Sequence, residues 1–183
     1  MTDLSAELRI AIRAREPRDI EDLAAVFACR GVVVGTLWLP LRSTASVAAR
    51  FDAVDANTHS LVAEVEGRVV GTLGLHVAAA PRRRHVGEIG MAVHDAFRGR
   101  GVGTALLAAA LDLADNWLDL RRLELHVYAD NAPAVRLYQR AGFATEGIAR
   151  AFAFRDGAFV DALAMARLRG LPGGGERGGA ANE

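Results

Sequence analysis

Residues 98–103 read "RGRGVG", three glycines and two arginines in six positions. The apolar run "IGMAV" precedes them, and "TALLAAALDLAD", with apolar residues at helical spacing, follows. This turn constrains the fold more than any other feature of the chain. It demands a strand, a tight cationic loop and a helix in succession. The first turn of such a helix presents unpaired N–H groups and the positive end of its dipole, a ready site for an anion. One glycine would serve a plain connection; three glycines with two arginines suggest that the loop holds something.

The rest of the chain supplies a frame for that unit. "LRIAIRA" (8–14) alternates apolar and charged residues and predicts a half-buried strand. Pro17 opens a predicted helix, "PRDIEDLAAVFACR", with acidic residues in its early turns. Residues 31–45, broken by Gly31, Gly35 and Pro40, read as irregular, and a short helix is expected over 46–54. "HSLVAEVEGRVVGTLGLHV" (59–77) predicts a hairpin turning at Glu66–Gly67, "PRRRH" a polar loop, and "VGEIGMAV" (86–93) the strand before the glycine turn. The following helix is expected to reach Leu118, with Val102, Leu106, Ala109, Leu113 and Trp117 on one stripe. Strand 121–129 should turn Leu123, Leu125 and Val127 to one face and Glu124, His126 and Tyr128 to the other. "DNAPAVRLYQRAG" reads as a helix capped by Asp130 or Asn131 and closed by Gly142, and a last hairpin flanks "RDG". The order predicts a single mixed α/β domain over 1–169, one twisted sheet of about seven strands with helices on both faces. Residues 170–183, rich in glycine and poor in anything to bury, are expected to form a disordered tail.

Charge narrows the partners. Lys+Arg and Asp+Glu balance at 22 each, so a general nucleic-acid binder, which needs a basic excess, is not expected. Cys29 is the only cysteine and the five histidines lack paired ligand spacing, so neither a disulfide framework nor a metal site is expected. "GVVVGTLWLPL" is too short and too broken to span a bilayer, and "MTDLSAELR" lacks a signal-peptide pattern. A cytoplasmic protein without a membrane segment is the expectation.

Several anions compete for the glycine turn. A nucleotide-triphosphate loop needs G-x-x-x-x-G-K-[ST], and the stretch has no lysine. A dinucleotide loop needs G-x-G-x-x-G; the turn gives G-x-G-x-G, and the acidic candidate Glu124 falls inside its strand. A third pattern fits better. Arg98-x-x-Gly101-x-Gly103 resembles the pyrophosphate-binding motif of the GNAT superfamily of acetyltransferases. "DNAPAVRLYQRAGF" (130–143) resembles that superfamily's second signature at every defined position. The resemblance covers residues 8–168. "PRRRHVGEIG", "ELHVYADNAPAVRLY" and "RDGAFVDALAMAR" are similar to a bacterial branch that acetylates L-amino acids.

The resemblance implies acetyl-CoA as cofactor and direct attack by the amine of a small molecule on the thioester. It implies that the strand with Met91, Ala92 and Val93 splays from its neighbour and binds the pantetheine arm through its backbone. One N–H there would polarise the acetyl carbonyl. Arg98, Gly99, Arg100, Gly101, Val102, Gly103 and Thr104 would wrap the pyrophosphate, with Arg98 or Arg100 adding a charge-assisted bond. Asn131 would bond the cofactor, as well as or instead of capping its helix. Tyr138, two turns on, would act as general acid to the leaving thiolate. Glu88 is the favoured base, through water; His126 is the other candidate, since imidazoles as a type titrate near neutrality. Residues 31–45 and the last hairpin would line the acceptor pocket, with Trp38 as an apolar wall and Arg42 or one of Arg82–Arg84 for a carboxylate. A homodimer is also compatible with the resemblance. The alternatives are a protein N-terminal or lysine acetyltransferase, disfavoured because nothing in 31–45 is acidic, and a non-catalytic cofactor-binding module.

Overall fold

The computed structural model describes residues 8–53 and 55–170. Its strands are β1 (Ala11–Ala14), β2 (Thr58–Val65), β3 (Arg68–Val77), β4 (Val86–Val93), β5 (Arg122–Tyr128), β6 (Ala144–Arg155) and β7 (Ala158–Leu168). They form one seven-stranded sheet in the order β1-β2-β3-β4-β5-β7-β6. Every neighbouring pair is antiparallel except β4 and β5, which run parallel. The helices are α1 (Ile20–Ala28), α2 (Arg30–Gly35), α3 (Thr44–Asp52), α4 (Val102–Asp112) and α5 (Ala132–Arg140). The expected tail lies, apart from Gly170, outside the described residues.

Alternation along each strand sends apolar residues to two cores. On one face Leu73, Leu75, Ile89, Leu123, Leu125 and Val127 meet Val102, Leu106, Leu107 and Ala110 of α4 and Tyr138 of α5. On the other, Val62, Val69 and Ala92 meet Leu23, Val26 and Phe27 of α1, Val32 of α2 and Val47 of α3. Helices therefore cover both faces, as the sequence predicts. Leu73, Leu75 and Leu106 have no exposed surface; truncating any one to alanine would cost about 2–5 kcal/mol. β1 is tied to the turn before α1 by an ion pair. Arg13 on β1 holds both carboxylate oxygens of buried Asp19 at 2.8 Å. That guanidinium keeps the Asp19 carboxyl below the usual carboxylate range.

Three expectations need correction. Residues 31–45 are not all irregular. Arg30–Gly35 form α2, because the N–H of Gly31 is fixed by Asp95 Oδ2 at 2.8 Å, a contact across the fold that outweighs two helix-weakening glycines. The long helix does not carry its stripe to Trp117. After Asp112 the backbone widens into a π-helical turn over Leu113–Trp117, and Leu118 N–H reaches back to Leu113 O at 3.1 Å. The wider turn changes the phase of the helix, burying Ala114 and leaving Trp117 76% exposed. The polar loop "PRRRH" contains a 3₁₀ turn at Pro81–Arg83.

Candidate active site

The parallel pair at the centre of the sheet is a fork. β4 and β5 are in register only at Val86↔Arg122, Gly87↔Leu123 and Glu88↔Glu124. Beyond Glu88 they part, while β4 stays paired with β3 as far as Gly71↔Val93. From Ile89 to Val93 the edge of β4 turned toward β5 has no strand partner. α4 and α5 pack together at the fork, where a Cβ on Gly103 would sit 3.3 Å from Leu137 Cδ2 and 3.5 Å from Met91 Cε. Gly103 is thus a close-packing position between these elements.

The glycine turn opens onto this fork. Gly99 (φ 71°) and Gly101 (φ 87°) hold left-handed backbone that disfavours other residues. Gly101 is the N-cap of α4 and offers no side chain to its amides. The helix closes from Ala105 N–H to Gly101 O at 3.0 Å, and the amides of residues 99–104 donate to no backbone carbonyl. The two arginines are turned aside. Arg98 Nε lies 3.1 Å from Asp95 Oδ1, and Arg100 stacks over the Phe97 ring at 5.4 Å.

A cleft of about 1320 Å³ runs through the fork. Met91, Ala92, Val93, Arg98, Gly99, Gly101, Gly103 and Thr104 line it, with Asn131 and Tyr138; Arg100 and Val102 do not, and Val102 belongs to the core. Asn131 caps α5, its Oδ1 accepting from Ala134 N–H at 3.4 Å. Tyr138 is 6% exposed and packs edge-on against Phe143. Burial alone pushes its phenol up to about 12, so it stays protonated at neutral pH and can donate.

The other end of the cleft lies over the second face of the sheet. Glu88 and His126 both line it. His126 stacks on Phe152, with ring centroids 5.1 Å apart. A bulge in β6 delivers Phe152: Ala151 takes a left-handed φ of 49°, and Asp161 accepts its N–H at 2.9 Å. Phe27, Trp38 and Phe51 form the apolar wall, Phe27 and Trp38 stacked at 4.0 Å. Gly74 and Gly90 lie directly opposite each other in β3 and β4, and nothing stands within 4 Å of where either would carry a Cβ. They leave a flat floor.

The arginines expected to meet a carboxylate lie elsewhere. Arg42 stacks on Trp38 at 5.1 Å without lining the cleft, and Arg83 pairs with Glu124. Arg50 of α3 lines the cleft instead, together with His76 of β3 and Phe152; sequence reasoning missed Arg50 and His76 and reached Phe152 only through the last hairpin as a whole. The signal that could have found His76 is period-two alternation, which puts it on the same face of β3 as Gly74. A lone arginine on a short helix carries no comparable signal.

Comparison with known proteins bears on this geometry. The model of the acetyltransferase (GNAT) family matches residues 25–143. The chain belongs to the GNAT acetyltransferase family. This GNAT chain is 39% identical over 160 residues to the L-amino acid N-acetyltransferase AaaT of Escherichia coli K12, covering 87% of this chain and 98% of that one. It superposes on the ribosomal-protein-alanine N-acetyltransferase of Brucella melitensis with a TM-score of 0.76 at 26% identity, covering 87% and 99% of the two chains. At 23% identity it shares the fold of a Sinorhizobium meliloti phosphinothricin acetyltransferase in complex with acetyl-CoA, with a TM-score of 0.77 and coverage of 87% and 88%. The protein is an N-acetyltransferase that takes its acetyl group from acetyl-CoA. The fork fits that donor. Unpaired amides and a left-handed glycine turn suit a pyrophosphate, and the free edge of β4 suits an amide-bearing arm. Among the described residues no helix is long and apolar enough to cross a membrane.

Proposed function

We propose that this enzyme acetylates the α-amine of a free L-amino acid with an apolar side chain. The observation that carries the reading is the pairing, in one cleft, of the Phe27–Trp38–Phe51 wall with the carboxylate of Glu88. The wall suits an apolar side chain, and a carboxylate suits an ammonium. The relative that acts on L-amino acids supports the same class.

Acetyl-CoA supplies an activated acyl group, and this chain's residues bind and orient around it. The amides of Gly99 through Thr104 take the pyrophosphate, with Arg98 or Arg100 released from its present partner to add charge. The free backbone edge of Met91, Ala92 and Val93 holds the pantetheine arm and polarises the acetyl carbonyl. Asn131 stays the cap of its helix and keeps its Nδ2 for the cofactor. Tyr138 donates to the leaving sulfur. A phenol pushed up to about 12 gives its proton reluctantly to a thiolate of ordinary pKa, about 8.5 for cysteine, so it acts first as a hydrogen-bond donor. Glu88 holds the acceptor's ammonium and drains its proton through water, with His126 as the other candidate base, and Arg50 receives the carboxylate. The setting is cytoplasmic, and the quaternary state a homodimer, which sedimentation of the purified protein checks.

The test is thiol release from acetyl-CoA with a panel of L-amino acids, products confirmed by mass. Rapid acetylation of the apolar subset is expected. Acetylation of N-terminal peptides alone would replace the acceptor with a protein. Tight acetyl-CoA binding with no accepted amine would make the chain a cofactor-binding module.

A further inference from the structure

One imidazole in the cleft is held by a chain of hydrogen bonds whose directions can be assigned. Asp55 precedes β2, and its Oδ1 accepts from the backbone N–H of Asn57 at 3.0 Å. The Thr58 hydroxyl lies 3.2 Å from that same carboxylate oxygen. Thr58 and His76 are directly opposite in β2 and β3, and Thr58 Oγ1 stands 2.8 Å from His76 Nδ1. On the next strand Glu88 is directly opposite His76. Asp55, Thr58, His76 and Glu88 all line the cleft.

A carboxylate can only accept, so the single hydroxyl proton of Thr58 goes to Asp55. The Thr58 oxygen then has only lone pairs left for the ring, and it accepts from His76 Nδ1–H. The Asp55 carboxylate, 3.6 Å from Nδ1, favours a proton on that same nitrogen. The tautomer with the proton on Nδ1 leaves Nε2 with a free lone pair. The arrangement resembles other sites in which an acceptor orients an imidazole so that its far nitrogen can take a proton; here His76 and Asp55 are both about half exposed. His126 has no such partner: it is stacked on Phe152.

We propose that His76 Nε2 is the general base of the acetyl transfer, with Asp55 and Thr58 as positioning residues. The proposal rests on the amino-acid reading above and refines the part given to Glu88. The acceptor's ammonium, held by Glu88, gives one proton to Nε2, which passes it to solvent. The freed amine forms the C–N bond as the C–S bond breaks. The departing sulfur, hydrogen-bonded by the Tyr138 hydroxyl, ends with the second N–H proton, so the phenol is unchanged over the cycle. The imidazolium formed on the way lies between two carboxylates, Asp55 beside Nδ1 and Glu88 across the strand pair. The other charged or titratable groups lining this end of the cleft are Arg50 of α3 and His126 of β5; Glu124, in register with Glu88 on the next strand, pairs with Arg83 and Arg122 and does not line it.

The test compares variants in the full-length protein by pH-rate profile and by nitrogen-15 NMR of the imidazole rings. His76→Gln should lower kcat about 100-fold with acceptor KM nearly unchanged, and should abolish the rise in rate across the range where imidazoles titrate. Glu88→Gln should instead raise acceptor KM and keep that rise. Thr58→Val should cost kcat roughly tenfold and mix the two ring tautomers. In the wild type the neutral ring of His76 should carry its proton on Nδ1. A neutral ring protonated on Nε2, or His76→Gln with wild-type kcat and an intact acidic limb, overturns the proposal. Wild-type protein that acetylates other amines but no amino acid overturns only the acceptor class, and His76 is then judged on the accepted amine by the same profile.

Discussion

Two strand-to-helix junctions stand side by side at the fork, and they finish their helices in opposite ways. At β5→α5 the chain caps itself: Asn131 Oδ1 accepts the N–H of Ala134, and the helix end is satisfied from within. At β4→α4 the N-cap is Gly101, which has no side chain, and the amides of residues 99–104 find no backbone acceptor. Both helices start from similar strands in one parallel pair. A protein that could have placed Asn, Asp or Ser at both N-caps did so at one only. Under the proposed function the uncapped junction leaves its amides for an outside anion, while the capped one closes a helix carrying Tyr138.

The comparison predicts what happens when the junctions are made alike. Gly101→Asp gives α4 the internal cap that α5 has. The nearest atom to a new Cβ is Ile10 Cδ1 at 3.8 Å, so there is room, and aspartate tolerates left-handed backbone better than most residues, but a φ of 87° still strains any side chain. The new carboxylate would occupy the amides and repel pyrophosphate. Acetyl-CoA binding, measured by calorimetry, should weaken about 100-fold, roughly 3 kcal/mol, with Tm lowered by only a few degrees from the strained backbone. Unchanged affinity would show that the open amides are not the anion site.

Tyr138→Phe tests the rigid side. It should lower kcat on the order of 100-fold while acetyl-CoA affinity stays within a few-fold, the reverse of Gly101→Asp. Because burial holds the phenol up to about 12, both it and an unfolded tyrosine are protonated below about pH 10. The neutral phenol therefore leaves stability flat up to that pH, and stability falls between there and about 12, as the unfolded chain ionises first. Wild-type kcat should accordingly show no tyrosine-dependent loss up to pH 10; a basic limb starting lower would mean the phenol is not buried in the working enzyme.

The smallest effect is expected at Asn131. Removing the cap in Asn131→Ala should cost about 1 kcal/mol and lower Tm by roughly 2–4 °C. Acetyl-CoA affinity should fall only slightly. A tenfold loss of affinity with no change in Tm would mean that this amide serves the cofactor and not the helix.

Local chemistry explains which of these features were legible in advance. Gly99 and Gly101 announce left-handed backbone, Asn131 and Gly142 mark the ends of α5, and the alternation in β4 and β5 sorts Glu88 and His126 from Ile89 and Leu125. Each follows from neighbours in the chain. What was illegible depends on distant partners. Gly31 and Gly35 sit in a helix because Asp95 holds it. Trp117 leaves the core because a π turn shifts the helix.

The same division holds for function. The glycine turn and "DNAPAVRLYQRAGF" by themselves carried the resemblance to the acetyltransferase family and marked a left-handed turn before α4 and a capped α5, because backbone conformation and helix periodicity are local. Only the tertiary structure decided how the acceptor end is built. Phe27, Trp38, Arg50 with Phe51, His76 and Phe152 come from five separate segments, and their meeting depends on strand register, a bulge held by Asp161 and the packing of α1, α2 and α3. A proton can be assigned to one nitrogen of His76 only once Asp55 and Thr58 are beside it, and no spacing within a single strand records that contact.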